Sequence, residues 1–179
     1  MSRLQPGLVQ VYTGDGKGKT SAALGVTWRA LGAGLRVYFL QFLKGGIEPS
    51  EQRLAARFAP DLVFHNLGHP ATAALFRGEP TEADRRLAAE AWQTARAILA
   101  DPQWDLVVLD EINNAAHLGL VSVPDLLEAL RARPAGMEVI CTGRDAPPAL
   151  RDFADLVTEM QMIKHPFDQG QPARRGVDS

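Results

Sequence analysis

The chain has 179 residues, 46% of them apolar and 22% charged, enough to bury one sizeable core and short for two independent ones. Its 19 basic and 21 acidic residues leave a net charge of -2, so no overall basic field gathers nucleic acid or an anionic membrane surface. The lone cysteine, Cys141, excludes an internal disulfide and a cysteine-only metal cage.

The opening residues "MSRLQPGLVQ" lack an apolar secretory core, and no apolar run approaches the roughly 18 residues of a membrane span. The expectation is one cytoplasmic domain with neither nucleic acid nor membrane as partner. The first uninterrupted apolar run is "LVQVY" at 8–12, which suits a strand covered on both faces, as in a parallel sheet. "TGDGKGKT" follows at 13–20, and then "GKTSAALGVTWRALGAG", a predicted helix whose small residues let it lie close against a sheet and which Gly32 and Gly34 stop. "VYFLQF" at 37–42 is a second strand.

Residues 66–80, "NLGHPATAALFRGEP", break periodicity, as functional loops often do. "TEADRRLAAEAWQTARAILA" then opens with Thr81 and Asp84 at capping-box spacing and carries Leu87, Ala91, Trp92, Ala95 and Ile98 at helical intervals. "LVVL" at 106–109 and "MEVICT" at 137–142 are further buried strands, separated by the helix "SVPDLLEALRAR", with Ser122 as its cap and Pro124 in its first turn. The tail from Lys164 is polar and rich in Gly and Pro, composition for a frayed end or, on a sharper reading, a segment covering substrate. Alternating strands and helices predict an α/β layered fold with a mainly parallel central sheet flanked by helices.

The stretch after the first strand matches the phosphate-binding pattern G-x-x-x-x-G-K-[ST] except that Thr13 stands at its entrance. Gly14, Gly16 and Gly18, interleaved with Asp15 and Lys17, permit backbone angles that turn successive N–H groups toward an anion. Lys19 adds a point charge. The Thr20 hydroxyl is placed to reach a magnesium ion, Ser21 follows in the first turn, and the helix N-terminus adds its favourable field. The run at 106–109 delivers Asp110 and Glu111 at a strand end, where open parallel sheets bind ligands and where a carboxylate holds magnesium directly or through water. Gln41, Lys44, Thr142 and Arg144 follow other strands toward the same edge, and Arg144 or Arg29 is a candidate phosphate contact. His65 and His69 stand four apart, but Gly68 and Pro70 oppose a helix presenting both to zinc. Cys141, inside a buried run, reads as a packed thiol.

Together, "TGDGKGKT", "QFLKG", "LDEINNA", "TGRDAP" and "KHPFDQGQPARRG" resemble the corrinoid adenosyltransferase family across nearly the whole chain. In that family the phosphate loop characteristically begins with Thr. The resemblance implies a P-loop NTPase fold of recombinase-like type, a homodimer, magnesium-bound ATP, and transfer of the 5′-adenosyl group to the cobalt of a Co(I) corrinoid with release of triphosphate. It makes the tail an ordered edge of the site. Lys19 and Glu111 become the catalytic candidates, with Thr20, Asp110 and Glu111 on the metal. Where well-known members carry an aromatic "FTW"-like segment this chain has "GHPATAALFRGEPTEAD", so Phe76 is the corrinoid candidate, with Phe42 and Phe167 behind it. A flavoprotein reductant fits the chemistry. A conventional ATP phosphotransferase or hydrolase, and a nonenzymatic nucleotide-binding module, are the alternatives.

Overall fold

The structure is a computed structural model that describes residues 4–43, 50–68, 79–166, 170–174 and 176–177. Its centre is a six-stranded sheet in the order β3-β2-β4-β5-β1-β6, built from β1 (Val9–Thr13), β2 (Val37–Phe42), β3 (Leu62–Leu67), β4 (Leu106–Asp110), β5 (Glu138–Thr142) and β6 (Leu156–Glu159). Every pairing is parallel, the arrangement that the uninterrupted apolar runs predict. The helices are α1 (Lys19–Gly32), α2 (Ser50–Ala55), α3 (Glu82–Ala100), α4 (Ile112–His117), α5 (Val123–Ala132) and α6 (Pro148–Phe153).

Side chains alternate strictly between two cores, as the two-residue period of a strand requires. Val37 and Phe39 of β2, Leu106 and Val108 of β4, and Ile140 of β5 pack with Ala23 and Ala30 of α1. Tyr38, Leu40, Val107, Leu109, Val139 and Cys141 face the other way, against α3, α4 and α5. Phe39 and Phe64 stack across β2 and β3 with ring centroids 4.7 Å apart, each buried ring contributing on the order of 2 kcal/mol.

The predicted helix starts hold. Thr81 and Asp84 form a reciprocal capping box at the head of α3, and the Ser122 hydroxyl accepts from the Asp125 N–H at α5, which takes Pro124 in its first turn. Two strands escape the apolar-run reading because both lie at sheet edges. β3 includes His65 and Asn66, and all four residues of β6 are exposed. The proposed loop at 66–80 begins too early, because Asn66 and Leu67 complete β3, and its residues 69–78 lie outside the described residues.

Candidate active site

Strand parity builds the site. Asn66, Gln41, Asp110 and Thr142 each fall near the carboxyl end of neighbouring strands β3, β2, β4 and β5, at positions that continue the α1-facing rows Leu62/Phe64, Val37/Phe39, Leu106/Val108 and Ile140. They therefore form a polar rung where those rows run out beside the start of α1. The rung is hydrogen-bonded toward one carboxylate. Asn66 Nδ2 donates to Gln41 Oε1 at 3.0 Å, Gln41 Nε2 donates to Asp110 Oδ2 at 2.7 Å, and Thr142 Oγ1 donates to Asp110 Oδ1 at 2.5 Å. Thr20 Oγ1, at the head of α1, donates to the same Oδ1 at 2.9 Å. Asp110 is fully buried, and a buried carboxylate persists only with such partners.

The loop itself runs from Thr13 to α1. Gly14 at φ 92° and Gly18 at φ 124° take the left-handed backbone that the motif predicts. Gly16 is glycine for another reason. Its N–H donates to the Met160 carbonyl at 2.7 Å, and a Cβ there would lie 2.6 Å from the Gln161 oxygen and 2.7 Å from the Met160 oxygen. The Gly16 amide is thus held by the segment leaving β6. Met160 N–H in turn donates to the Thr13 carbonyl at 2.8 Å, so the chain just past β6 forms the outer wall of the loop. Lys19 crosses the loop on its other side, Nζ donating to the carbonyls of Gly14 at 2.6 Å and Gly16 at 2.7 Å.

Thr13 has a structural reason as well. Its buried hydroxyl accepts the Ala146 N–H at 3.2 Å, tying the loop entrance to the turn between β5 and α6, a bond that the usual glycine cannot make. Asp15 and Arg144 approach to 3.9 Å across the same gap, with Arg144 50% and Asp15 74% exposed, an ion pair of little energetic weight. A cavity of about 480 Å³ opens here, lined by Thr13, Asp15, His117, Pro147, Arg151 and Glu159.

Glu111 caps α4 in the left-handed region, at φ 64°. Its N–H donates to Thr142 Oγ1 at 3.2 Å. Thr20, Asp110 and Glu111 offer only oxygen donors, and the Thr20 hydroxyl and Asp110 carboxylate already meet, so the set fits magnesium, a hard ion that takes one or two carboxylates and completes its shell with water and phosphate. Among the described residues no group of three or more His, Cys, Asp and Glu forms a metal cage.

Several expected residues are placed elsewhere. Arg29 sits in the last turn of α1; ten residues of helix put it about 15 Å along the axis from Lys19. It is not brought to the loop. Phe42 is fully buried in the core. Lys17 within the loop and Ser21 just past it are exposed where the motif puts them. His65 pairs with the Tyr38 hydroxyl at 2.5 Å. Burial pushes the Cys141 thiol up to about 12, which fits a packed thiol. Lys44, His69, Phe76 and Phe167 lie outside the described residues. Sequence reasoning missed Asn66, Met160 and Asn113, whose Nδ2 donates to the carbonyls of Tyr12 at 3.2 Å and Gly143 at 3.0 Å and so ties the ends of β1 and β5. Asn66 belongs to β3, an edge strand that the apolar-run pattern does not reveal, so its place in an α1-facing row shows only in the fold. Met160 acts through its backbone and leaves no side-chain signal.

The sequence profile of a family described as ATP:corrinoid adenosyltransferase BtuR/CobO/CobP matches residues 5–179. A corrinoid adenosyltransferase of Pseudomonas aeruginosa is 39% identical over 177 residues, covering 99% of this chain and 86% of that one. Corrinoid adenosyltransferase CobA of Salmonella typhimurium is 37% identical over 172 residues, covering 96% and 85%. Among solved structures, the flagellar accessory protein FlaH from Methanocaldococcus jannaschii superposes with a TM-score of 0.60 at 15% identity over 87% of this chain and 72% of that one. The RadB recombinase gives 0.50 at 16% identity over 91% and 78%. These two likenesses concern the fold alone, and they agree with a recombinase-like P-loop architecture.

Proposed function

The chain belongs to the ATP:corrinoid adenosyltransferase family, and from that premise we propose how its residues divide the work. The enzyme acts on ATP and a corrinoid, and moves the adenosyl group from one to the other. The observation that carries the assignment to residues is the 2.9 Å contact between Thr20 and Asp110, which sets a phosphate loop against an acidic strand end.

The electron pair of Co(I) forms the new bond to the 5′ carbon of ATP while the carbon–oxygen bond breaks and its pair leaves on triphosphate. No proton moves, so no side chain is required as a base. Thr13, Gly14, Asp15, Gly16, Lys17, Gly18, Lys19, Thr20 and Ser21 form the triphosphate site, with the Gly16 amide reserved for Met160. Lys19 and the remaining amides offset charge gathering on the departing chain. Thr20, Asp110 and Glu111 would hold magnesium, which when bound neutralises part of the same charge. What remains for the protein is alignment and exclusion of water. Phe76 is assigned to the corrinoid side. A homodimer, a flavoprotein reductant and a cytoplasmic setting complete the reading; no described helix is long and apolar enough to cross a membrane.

Incubation with ATP, magnesium and a chemically reduced corrinoid tests it. Triphosphate with a light-sensitive cobalt–carbon product is expected. ADP would reveal phosphoryl transfer, and unaltered ATP a binding module. Lys19→Ala should weaken ATP binding about 100-fold, the loss of a charged hydrogen-bond donor at the phosphates; titration calorimetry showing undiminished affinity would move the phosphate site elsewhere.

A further inference from the structure

We propose that Thr142 is a positioning residue that sets the geometry of both acidic residues at the end of β4, and through them the affinity for the divalent cation. The inference rests on the nucleotide-site reading above and goes beyond it. One hydroxyl makes two bonds of opposite sense: it donates to Asp110 Oδ1 at 2.5 Å and accepts the Glu111 N–H at 3.2 Å. A hydroxyl has one proton to give and lone pairs to receive, so the two bonds are compatible and fix its rotor. Thr142 is fully buried at the end of β5, the strand paired directly with β4, whose end carries both acids.

Each bond answers a local problem. Asp110 has two oxygens on a side chain with free rotation about χ2; Gln41 holds Oδ2 at 2.7 Å, and Thr142 holds Oδ1 from the opposite neighbouring strand. The carboxylate plane is thereby clamped across β2, β4 and β5, and Oδ1 is left beside the Thr20 hydroxyl. Glu111 stands at φ 64°, a conformation costly for a residue with a Cβ and kept only where the surroundings over-determine it. The bond from its N–H to Thr142 supplies that restraint at the point where the chain leaves the strand for α4. Of the two acids Gln41 bonds Asp110, whereas Thr142 bonds both, which separates the two residues experimentally.

The test uses the full chain. In wild-type protein without ligand, the Glu111 amide should be protected from hydrogen exchange, and free exchange there overturns the inference without any variant. Thr142→Val keeps the side-chain shape and removes the hydroxyl. Binding of ATP in EDTA should stay within about twofold of wild type, whereas affinity of the ATP-loaded protein for Mn2+, read by electron paramagnetic resonance, should fall about 10–100-fold, the usual cost of removing a residue that orients a metal ligand. Glu111 protection should be lost in this variant and retained in Gln41→Leu. Thr142→Ser restores the hydroxyl and should restore both Mn2+ affinity and protection, a rescue that a merely packing role does not predict. Unchanged Mn2+ affinity in Thr142→Val, or no rescue by Ser, overturns the inference while leaving ATP binding in place. Absence of ATP binding by the wild-type protein would instead overturn the underlying function.

Discussion

Replacing Thr13 by glycine turns this loop into the commoner phosphate-loop pattern, and the structure predicts that the change weakens the fold. Thr13 is 4% exposed and its hydroxyl accepts the N–H of Ala146, itself buried, at 3.2 Å. Thr13→Val retains the branched shape that a strand end favours and removes the acceptor, leaving a buried donor unpaired at a cost of about 1–3 kcal/mol. For a chain of this length that is roughly 2–4 °C of melting temperature per kcal/mol. Thr13→Gly loses the same bond, the packed methyl at about 0.8 kcal/mol, and about 0.5–1 kcal/mol in backbone entropy. Thr13→Ser keeps the acceptor and gives up only the methyl. Urea unfolding should therefore rank wild type above Ser, Ser above Val, and Val above Gly, with the Ala146 amide exchanging faster in Val and Gly but not in Ser. A Gly variant as stable as wild type, or a Ser variant less stable than Val, would refute the reasoning.

Gly16→Ala places a methyl within 2.6–2.7 Å of two backbone oxygens past β6; because backbone cannot swing aside as a side chain can, we expect a loss of about 1–3 kcal/mol and at least tenfold weaker ATP binding, checked by unfolding and calorimetry, with an unchanged melting temperature ruling the contact out. Stability should also fall in alkali. The Cys141 thiol is raised from its ordinary 9.0 to about 12 by burial, so the native state holds a proton that the unfolded state releases; its contribution is complete below pH 9 and declines by about 1.4 kcal/mol per unit as pH rises toward 12. Tyr12 and Tyr38, also raised by burial, act in the same direction above 10. Cys141→Ala should flatten the profile between pH 9 and 10, and an equal slope in both proteins would contradict the assignment. Thr81→Ala removes the reciprocal cap of α3 and should cost about 1 kcal/mol, measured as a shift of the urea midpoint.

The parts of this protein that sequence exposes are those carried by side-chain pattern. Apolar runs at β1, β2, β4 and β5 reveal the parallel sheet because those four strands are flanked on both sides by others, and the same burial leaves Gln10 as the one polar residue between their first residues and their carboxyl ends. β3 and β6 have one open edge each, and the pattern fades with the burial. Asp110 was legible as the acid ending an apolar run and Thr20 as the hydroxyl after Lys19; their meeting follows from parity, since residue 110 shares the face of Leu106 and Val108 that packs on α1. Arg29 misled as an exposed arginine, a residue type common on any surface, which the fold places in the last turn of α1. Gly16 misled differently. A glycine that accommodates neighbouring backbone is indistinguishable, in sequence, from one that turns its amide to a ligand, and only the carbonyl of Met160 decides between them.

That carbonyl has a consequence for how the protein is made. β1 is laid down first, yet its two neighbours in the sheet are β5 and β6, the last strands to appear, so contacts of long sequence separation must wait for late synthesis. A nascent chain emerging from the ribosome carries the entire glycine-rich stretch early and lacks its outer support until Met160 and Gln161 arrive. Products cut short before that point should capture nucleotide poorly despite an intact motif.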